Sequence, residues 1–424
     1  MNALQPANKD AIDPAAGRKR IAFFMSSLAG GGAERVVLSL AAEYVKRGHQ
    51  VNVVVVTRRG ELVSEVPEFV HVVELGAGGL ASALGALLQL PFSTFSRVLP
   101  TMITQRRKKI RSLPRLANYL RQQQPDVLLA TTEVANLIAL WAGRLARVDT
   151  RLFVKSDISM RTWAANTSDA LHRKLPRLIE AWYRRAQGIV CVSAGLAEEL
   201  AAMTDAAPAR INVIYNPVDC RRIAELAAQQ LDHPWFQPGQ PPVVLAAGRL
   251  HRQKDYPTLL QAFARLRRRK TSRLVIIGEG PERARLASLA AQLGISEEVQ
   301  LPGFQTNPFA YMARAGVFAL SSAWEGLSNV LIEALACGGP VVSTDCPHGP
   351  AEVLDSGKYG TLVPVADPAA LAQALQATLD RKTAAAEAQQ RAGYFDIGAV
   401  ADRYWQLFFT SDTPKISSDR QSGR

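Results

Sequence analysis

The sequence predicts an α/β protein with two parallel-sheet domains. Short apolar runs alternate with segments of helical spacing from 20 to 219, the rhythm of strand, crossover helix and parallel strand. The rhythm restarts at 243, after a Pro-rich stretch at 232–242 that reads as a linker loop. Glycines and charged residues follow strand after strand at the C-terminal end, where open α/β sheets bind ligands. The length of 424 residues suits two cores. The composition, 48% hydrophobic and 21% charged, is that of a folded globular chain.

A formal net charge of +13 points to an anionic partner. Nucleic acid, an acidic membrane surface and phosphorylated substrates all qualify. The four cysteines, Cys191, Cys220, Cys337 and Cys346, form no close metal-type pairs and read as reduced thiols of a cytosolic protein. Residues 1–18 are polar and Ala/Pro-rich without an apolar leader core, so a disordered segment and no export are expected. The polar tail 411–424 also reads as disordered.

The first series opens with a strand over 20–25 and a glycine loop containing Gly31 and Gly32. A helix follows, with Val36, Val37, Leu40, Ala41 and Tyr44 at helical spacing. Strand, glycine loop and helix together bring backbone close to a phosphate or a sugar, although glycines also make plain turns. Strands are expected over 51–57 and 71–75. Then the rhythm breaks. Residues 75–96 carry no charge and are long enough to be weighed as a membrane span, but their glycines, Gln89, Pro91 and serines argue against one. Arg106, Arg107, Lys108, Lys109 and Arg111 follow, interleaved with apolar residues. The stretch 75–116 therefore reads as a segment facing an anionic membrane, or as a solvated basic helix beside a buried one. Aromatic residues are not interleaved, which argues against nucleic acid.

Alternation resumes with a strand over 126–130, a loop at Thr131-Thr132-Glu133 and a helix over 135–145. The strand over 151–155 ends in Ser156-Asp157-Ile158-Ser159. Asp157, Lys155 and Asn136 are candidates for the acceptor or reaction zone; each could equally be a helix cap or a loop hydrogen-bonder. A strand over 188–193, a helix over 194–203 and a strand over 211–215 lead to Asn216-Pro217, which reads as the exit from the first domain.

In the second series the strand over 243–247 runs into Gly248-Arg249, and Lys254 precedes a helix opened by Pro257. Two cations on one strand-to-helix loop suit a diphosphate: a point charge from Lys and forked donors from Arg. The strand over 274–277 leads to Gly278-Glu279-Gly280-Pro281, and that over 299–301 to Gly303-Phe304. The strand over 317–320 leads to Glu325-Gly326-Leu327-Ser328-Asn329. Ser328 reads as the N-cap of a helix over 329–337, with Glu333 about one turn inside. Backbone N–H groups at that end suit a phosphate, and two carboxylates beside it suit the hydroxyls of a sugar and a ribose. A surface helix over 367–379 and a last helix over 396–409 complete the chain.

This ordered run of loops, from Gly248-Arg249 and Lys254 through Gly278-Glu279-Gly280-Pro281 and Gly303-Phe304 to Glu325 and Glu333, resembles glycosyltransferase family 4. The resemblance implies the GT-B fold, two Rossmann-like domains facing across a cleft, and retention of anomeric configuration. It implies an acceptor domain over 19–216, a nucleotide-sugar domain over 217–394 and a helix over 395–410 that crosses back. By resemblance Arg249 and Lys254 neutralise the donor diphosphate, Glu333 holds the ribose and Glu325 faces the sugar. Gly326, Leu327, Ser328 and Asn329 meet sugar and phosphates, Gly303 and Phe304 hold the base, and Gly31 and Gly32 approach from across the cleft. The catalytic candidates are Glu325, Arg249, Lys254 and Asp157, the last standing where many relatives carry a histidine. No metal or other cofactor is expected. The implied reaction moves a hexose or N-acetylhexosamine, from a UDP-sugar by preference, to a lipid-linked or soluble glycan in bacterial cell-surface polysaccharide synthesis, at the inner membrane face. A nucleotide-sugar epimerase and a non-catalytic nucleotide-sugar-binding protein are the alternatives.

Overall fold

The computed structural model describes residues 17–29, 31–104, 109–166, 174–204, 206–381 and 385–410. Apart from residues 17 and 18, the ends expected to be disordered lie outside these, as do Arg106, Arg107 and Lys108.

The first sheet is built from β1 (Arg20–Ser27), β2 (Gln50–Thr57), β3 (His71–Glu74), β4 (Val127–Thr131), β5 (Arg151–Ser156), β6 (Gly188–Cys191) and β7 (Ile211–Val213). The second is built from β8 (Val243–Ala247), β9 (Arg273–Ile277), β10 (Val299–Gly303), β11 (Val317–Leu320), β12 (Val341–Thr344) and β13 (Thr361–Val363). Their orders are β3-β2-β1-β4-β5-β6-β7 and β10-β9-β8-β11-β12-β13. Every pairing is parallel. Helices therefore cover both faces, and central strands such as β1 and β4 are apolar on both sides. Strand order reverses between β1 and β4 and again between β8 and β11, and such switch points open a crevice at the strand C-termini.

The uncharged stretch forms two helices, Leu80–Leu88 and Phe92–Thr104, interrupted next to Pro91. Among the described residues no helix is long and apolar enough to cross a membrane. Ala83, Ala86 and Leu87 are in the core, whereas Leu88 is 66% and Phe92 80% exposed. The basic cluster divides as well. Lys109 is exposed, but the Arg111 guanidinium donates to the Gly78 carbonyl at 2.8 Å. Arg111 thus ties down the start of this segment and is not a free surface cation.

The Pro-rich stretch is not a free linker. Its aromatic residues find ring partners on the second domain: Phe236 packs edge-on against Tyr311, and the Arg273 guanidinium lies over Trp235. His233 is buried and bonded to Gln300 at 2.9 Å. The chain passes between domains earlier, just after β7. It returns near 396, and the two passages are bonded together: Val218 N–H donates to Phe395, and Ile397 N–H donates to Val218, each at 2.9 Å.

The returning helix, Ile397–Trp405, continues as a π-helical turn, Gln406–Thr410, and packs on the first domain. The Tyr44 hydroxyl donates to the Ala401 carbonyl at 2.8 Å, and Arg47 pairs with Asp402 at 2.6 Å. Phe408 is fully buried, its ring 4.9 Å from that of Phe153 on β5. Phe408→Ala should destabilise the first domain by about 3–5 kcal/mol. The check is a lower urea midpoint followed by Trp141 and Trp182 fluorescence.

Candidate active site

The loops after β8, β9 and β10 lie side by side. Gly248 N–H donates to Ile277, Gly278 N–H to Gly303 and Leu250 N–H to Glu279, at 2.9, 2.9 and 2.8 Å. A side chain on Gly278 (φ +136°) would collide with the Gly248 carbonyl, which explains a glycine there. Gly280 and Gly303 complete this rim, and Phe304 beyond it is 56% exposed, leaving an aromatic face open to a planar base.

Glu325 is buried in front of the helix Asn329–Ala336. The Lys254 ammonium and the Ser322 hydroxyl both donate to its Oε1 at 2.6 Å, while Gln253 donates to Oε2 at 3.4 Å. A largely enclosed ion pair contributes little net stability, but it holds the ammonium in one place. Arg249, on the same loop, is exposed. Ser328 occupies the N-cap position, but its hydroxyl makes no cap bond and is enclosed without a partner. The expected Ser328 cap bond is therefore absent. Those amides are left for another acceptor. Glu333, one turn on, is partly buried, and burial pushes its carboxyl above the usual range against the pull of Arg35 and Lys254.

The first domain supplies the other wall. The helix Gly32–Lys46 starts at Gly31 with no side-chain cap. A Cβ on Gly32 would stand 3.2 Å from Asn329 Nδ2, and Asn216 donates to Asn329 Oδ1 at 2.9 Å. Burial and nearby Asp157 raise the Glu34 carboxyl, opposed by Lys109 and by Arg249 from the other domain. Asp157 follows β5: Thr131 donates to Oδ2 at 2.9 Å and Lys155 pairs with Oδ1. The Asp157 carbonyl lies against Gly326, so that any side chain at 326 would strike it. Gly326, Leu327 and Ser328 are buried at this seam, and Asn329 is partly exposed.

Two acceptor candidates are corrected. Asn136 is fully buried and donates to the Lys155 carbonyl at 2.7 Å and the Tyr183 hydroxyl at 2.8 Å. Lys155 is fully buried as Asp157's counter-ion. Both tie β5 to its neighbours, so neither meets an incoming sugar. Several cross-cleft residues carry no sequence motif. The Glu352 carboxylate accepts from Ala194 N–H at 2.7 Å, Gly195 N–H at 3.2 Å and the Tyr215 hydroxyl at 3.0 Å. Glu199 is bonded to His348 at 3.2 Å. Burial would raise the Glu199 carboxyl, but bonds from His348, Ser159 and the Arg161 N–H bring it down to about 2. The only hint in sequence was that Glu352 follows a strand-end Gly-Pro turn.

The glycosyl transferases group 1 family model matches residues 229–394, and the glycosyltransferase family 4 model matches residues 30–222. A Campylobacter jejuni relative, N-acetylgalactosamine-N,N'-diacetylbacillosaminyl-diphospho-undecaprenol 4-alpha-N-acetylgalactosaminyltransferase, is 30% identical over 390 residues, covering 90% of this chain and 97% of its own. The lipopolysaccharide core biosynthesis glycosyltransferase LpsE of Rhizobium meliloti is 31% identical over 268 residues, covering 60% of this chain and 76% of its own. Among solved structures, Anabaena HepE in complex with UDP superposes with a TM-score of 0.72 at 20% identity, over 92% of this chain and all (100%) of that one.

Gly326→Ala is expected to fold, as read by circular dichroism, but to lose most transfer. The added methyl would hold the Asp157 loop away and stop the seam from closing.

Proposed function

The chain belongs to glycosyltransferase family 4, with the GT-B fold, and from that premise we propose that it moves a hexose or N-acetylhexosamine from a UDP-sugar to a lipid-linked glycan with retention of configuration. The chemistry is that of bacterial surface-polysaccharide synthesis. The observation that carries the reading is Lys254, locked by Glu325 beside exposed Arg249 and the uncapped start of Asn329–Ala336. That arrangement offers one fixed positive charge, a second on the exposed Arg249, and free amides where a nucleoside diphosphate would gather charge as it leaves. The bond from the anomeric carbon to the phosphate oxygen breaks, and a bond to the acceptor hydroxyl oxygen forms on the same face. The departing phosphate takes the hydroxyl proton. The transition state has oxocarbenium character, so exclusion of water at the seam suppresses donor hydrolysis. Arg249 and Lys254 carry the charge neutralisation without a metal in this scheme.

Two features support an acceptor with an apolar anchor. Leu88 and Phe92 form an exposed apolar edge on the first domain. Lys109 from the neighbouring basic segment acts electrostatically on Glu34 inside the cleft, so this face stands close to the cleft mouth. A diphosphate carrying an apolar tail would suit both, with the protein peripheral on the inner face of the cell membrane. The name of the Campylobacter relative carries an acceptor of that kind.

Arg249→Ala is expected to lower transfer by about 10²–10³-fold with an unchanged melting temperature. Lys254→Ala should lose at least as much and also melt earlier, because Glu325 stays buried without its cation. Nucleotide sugars compared by thermal shift should single out one UDP-sugar, and proton NMR of the product should show the donor's anomeric configuration. Flotation with anionic liposomes should recover the wild type, whereas a Leu88→Asp, Phe92→Asp, Lys109→Glu variant should stay in the dense fraction.

A further inference from the structure

Behind Asp157 lies a carboxyl that the reaction scheme does not use. Glu133 is the first residue of the helix Glu133–Ala146, directly beyond β4. It is only 8% exposed, and its Oε1 is enclosed with no hydrogen-bond partner. Around it stand Lys155 and Asp157 from β5 and its loop, with Tyr183 from the helix Leu175–Tyr183 and Cys191 at the end of β6. Glu34, from the helix Gly32–Lys46 of the same domain, stands near enough to Asp157 for the two carboxyls to repel. Lys155 is fully buried and pairs with Asp157. The enclosed cluster therefore holds two carboxyls and one ammonium. Two carboxylates there would leave a net charge shut away from water, so one carboxyl must hold a proton. Asp157 is held by both Lys155 and Thr131, whereas the Glu133 Oε1 has no donor at all.

We propose that Glu133 is a positioning residue for the reaction zone, carrying the cluster's proton so that Lys155 belongs wholly to Asp157 and the Asp157 loop stays against Gly326. Ionised Glu133 competes for the same ammonium, loosens Asp157 and opens the seam. Burial, opposed by a hydrogen bond from its own backbone N–H, reinforced by Asp157 and offset by Lys155, moves the Glu133 carboxyl up to about 8. The switch therefore works on the alkaline side: the cluster is intact below that pH and lost above it. This inference rests on the transferase reading given above.

The test takes the full chain as wild type and as Glu133→Gln, which keeps the shape and cannot ionise. At pH 7 the infrared spectrum of the wild type should contain the carbonyl band of a buried protonated carboxylic acid. That band should be absent from the variant, and in the wild type it should fade as pH rises through about 8. In transfer assays kcat/KM of the wild type should fall about tenfold per pH unit above that point. Glu133→Gln should hold its neutral-pH value for at least one further unit. Glu133→Asp, which withdraws the carboxyl by one methylene, should restore an alkaline fall. A wild-type spectrum without the band, or an alkaline fall that persists in Glu133→Gln, would overturn the proposal. No transfer from any nucleotide sugar at any pH would instead sink the transferase reading, and the infrared band would still decide where the proton sits.

Discussion

The molecule depends on two backbones meeting with no side chain between them. Gly326, at the C-terminal edge of the second sheet, rests against the Asp157 carbonyl at the C-terminal edge of the first. Parallel sheets put every loop that can hold a ligand at that edge. Facing the two edges together turns two shallow crevices into one enclosed seam. The paired chain passages at Val218 and Phe395 to Ile397, with the helix that returns to Tyr44 and Arg47, keep the sheets in that relation.

Charge is arranged to match. Arg249 acts on Glu34 from across the seam, Arg35 acts on Glu333, and Glu352 caps the amides that open the helix Ala194–Met203. Each sets opposite signs against each other across the domains, and such complementarity fixes register and orientation more than it adds affinity. The Lys254–Glu325 pair works differently. It lies within one domain and nearly out of water, where desolvation cancels most of its attraction. Its effect is to place one ammonium at a fixed point beside a helix start, where a phosphate would meet it without reorganisation.

The two walls were not equally legible. On the second domain the candidate donor groups Arg249, Lys254 and Glu325 stand on loops that follow strand ends, and Glu333 lies one turn into the helix after such a loop, so local order in the chain already groups them. On the first domain the same rule misled. Lys155 and Asn136 also stand near strand ends, but their side chains bond to Asp157 and to the Lys155 carbonyl inside the core. Which side of the sheet a strand-end residue serves depends on the helices packed over it, and no spacing in the chain reports that. The uncharged stretch was legible only in part. Pro91 counted against an unbroken span, but the division into two helices beside it, and which leucines stay exposed, depended on the packing around them. Arg111 read as a surface cation until the Gly78 carbonyl was found beside it.

What the sequence alone determined is therefore what short-range chemistry dictates. Alternating apolar runs and helical spacing required parallel sheets, the restart at 243 required a second one, and glycines with cations and carboxylates after its strands required an anion-binding rim. Tertiary structure alone decided which charges share a cavity. Glu133 and Asp157 are 24 positions apart, a difference of residue numbers (157 less 133) that carries no chemical meaning in the chain. Folding encloses both around one lysine. Once water is excluded, the Glu133 carboxyl answers to burial and to the charges folded around it and no longer to solvent, which is why that part of the site could not be read in advance.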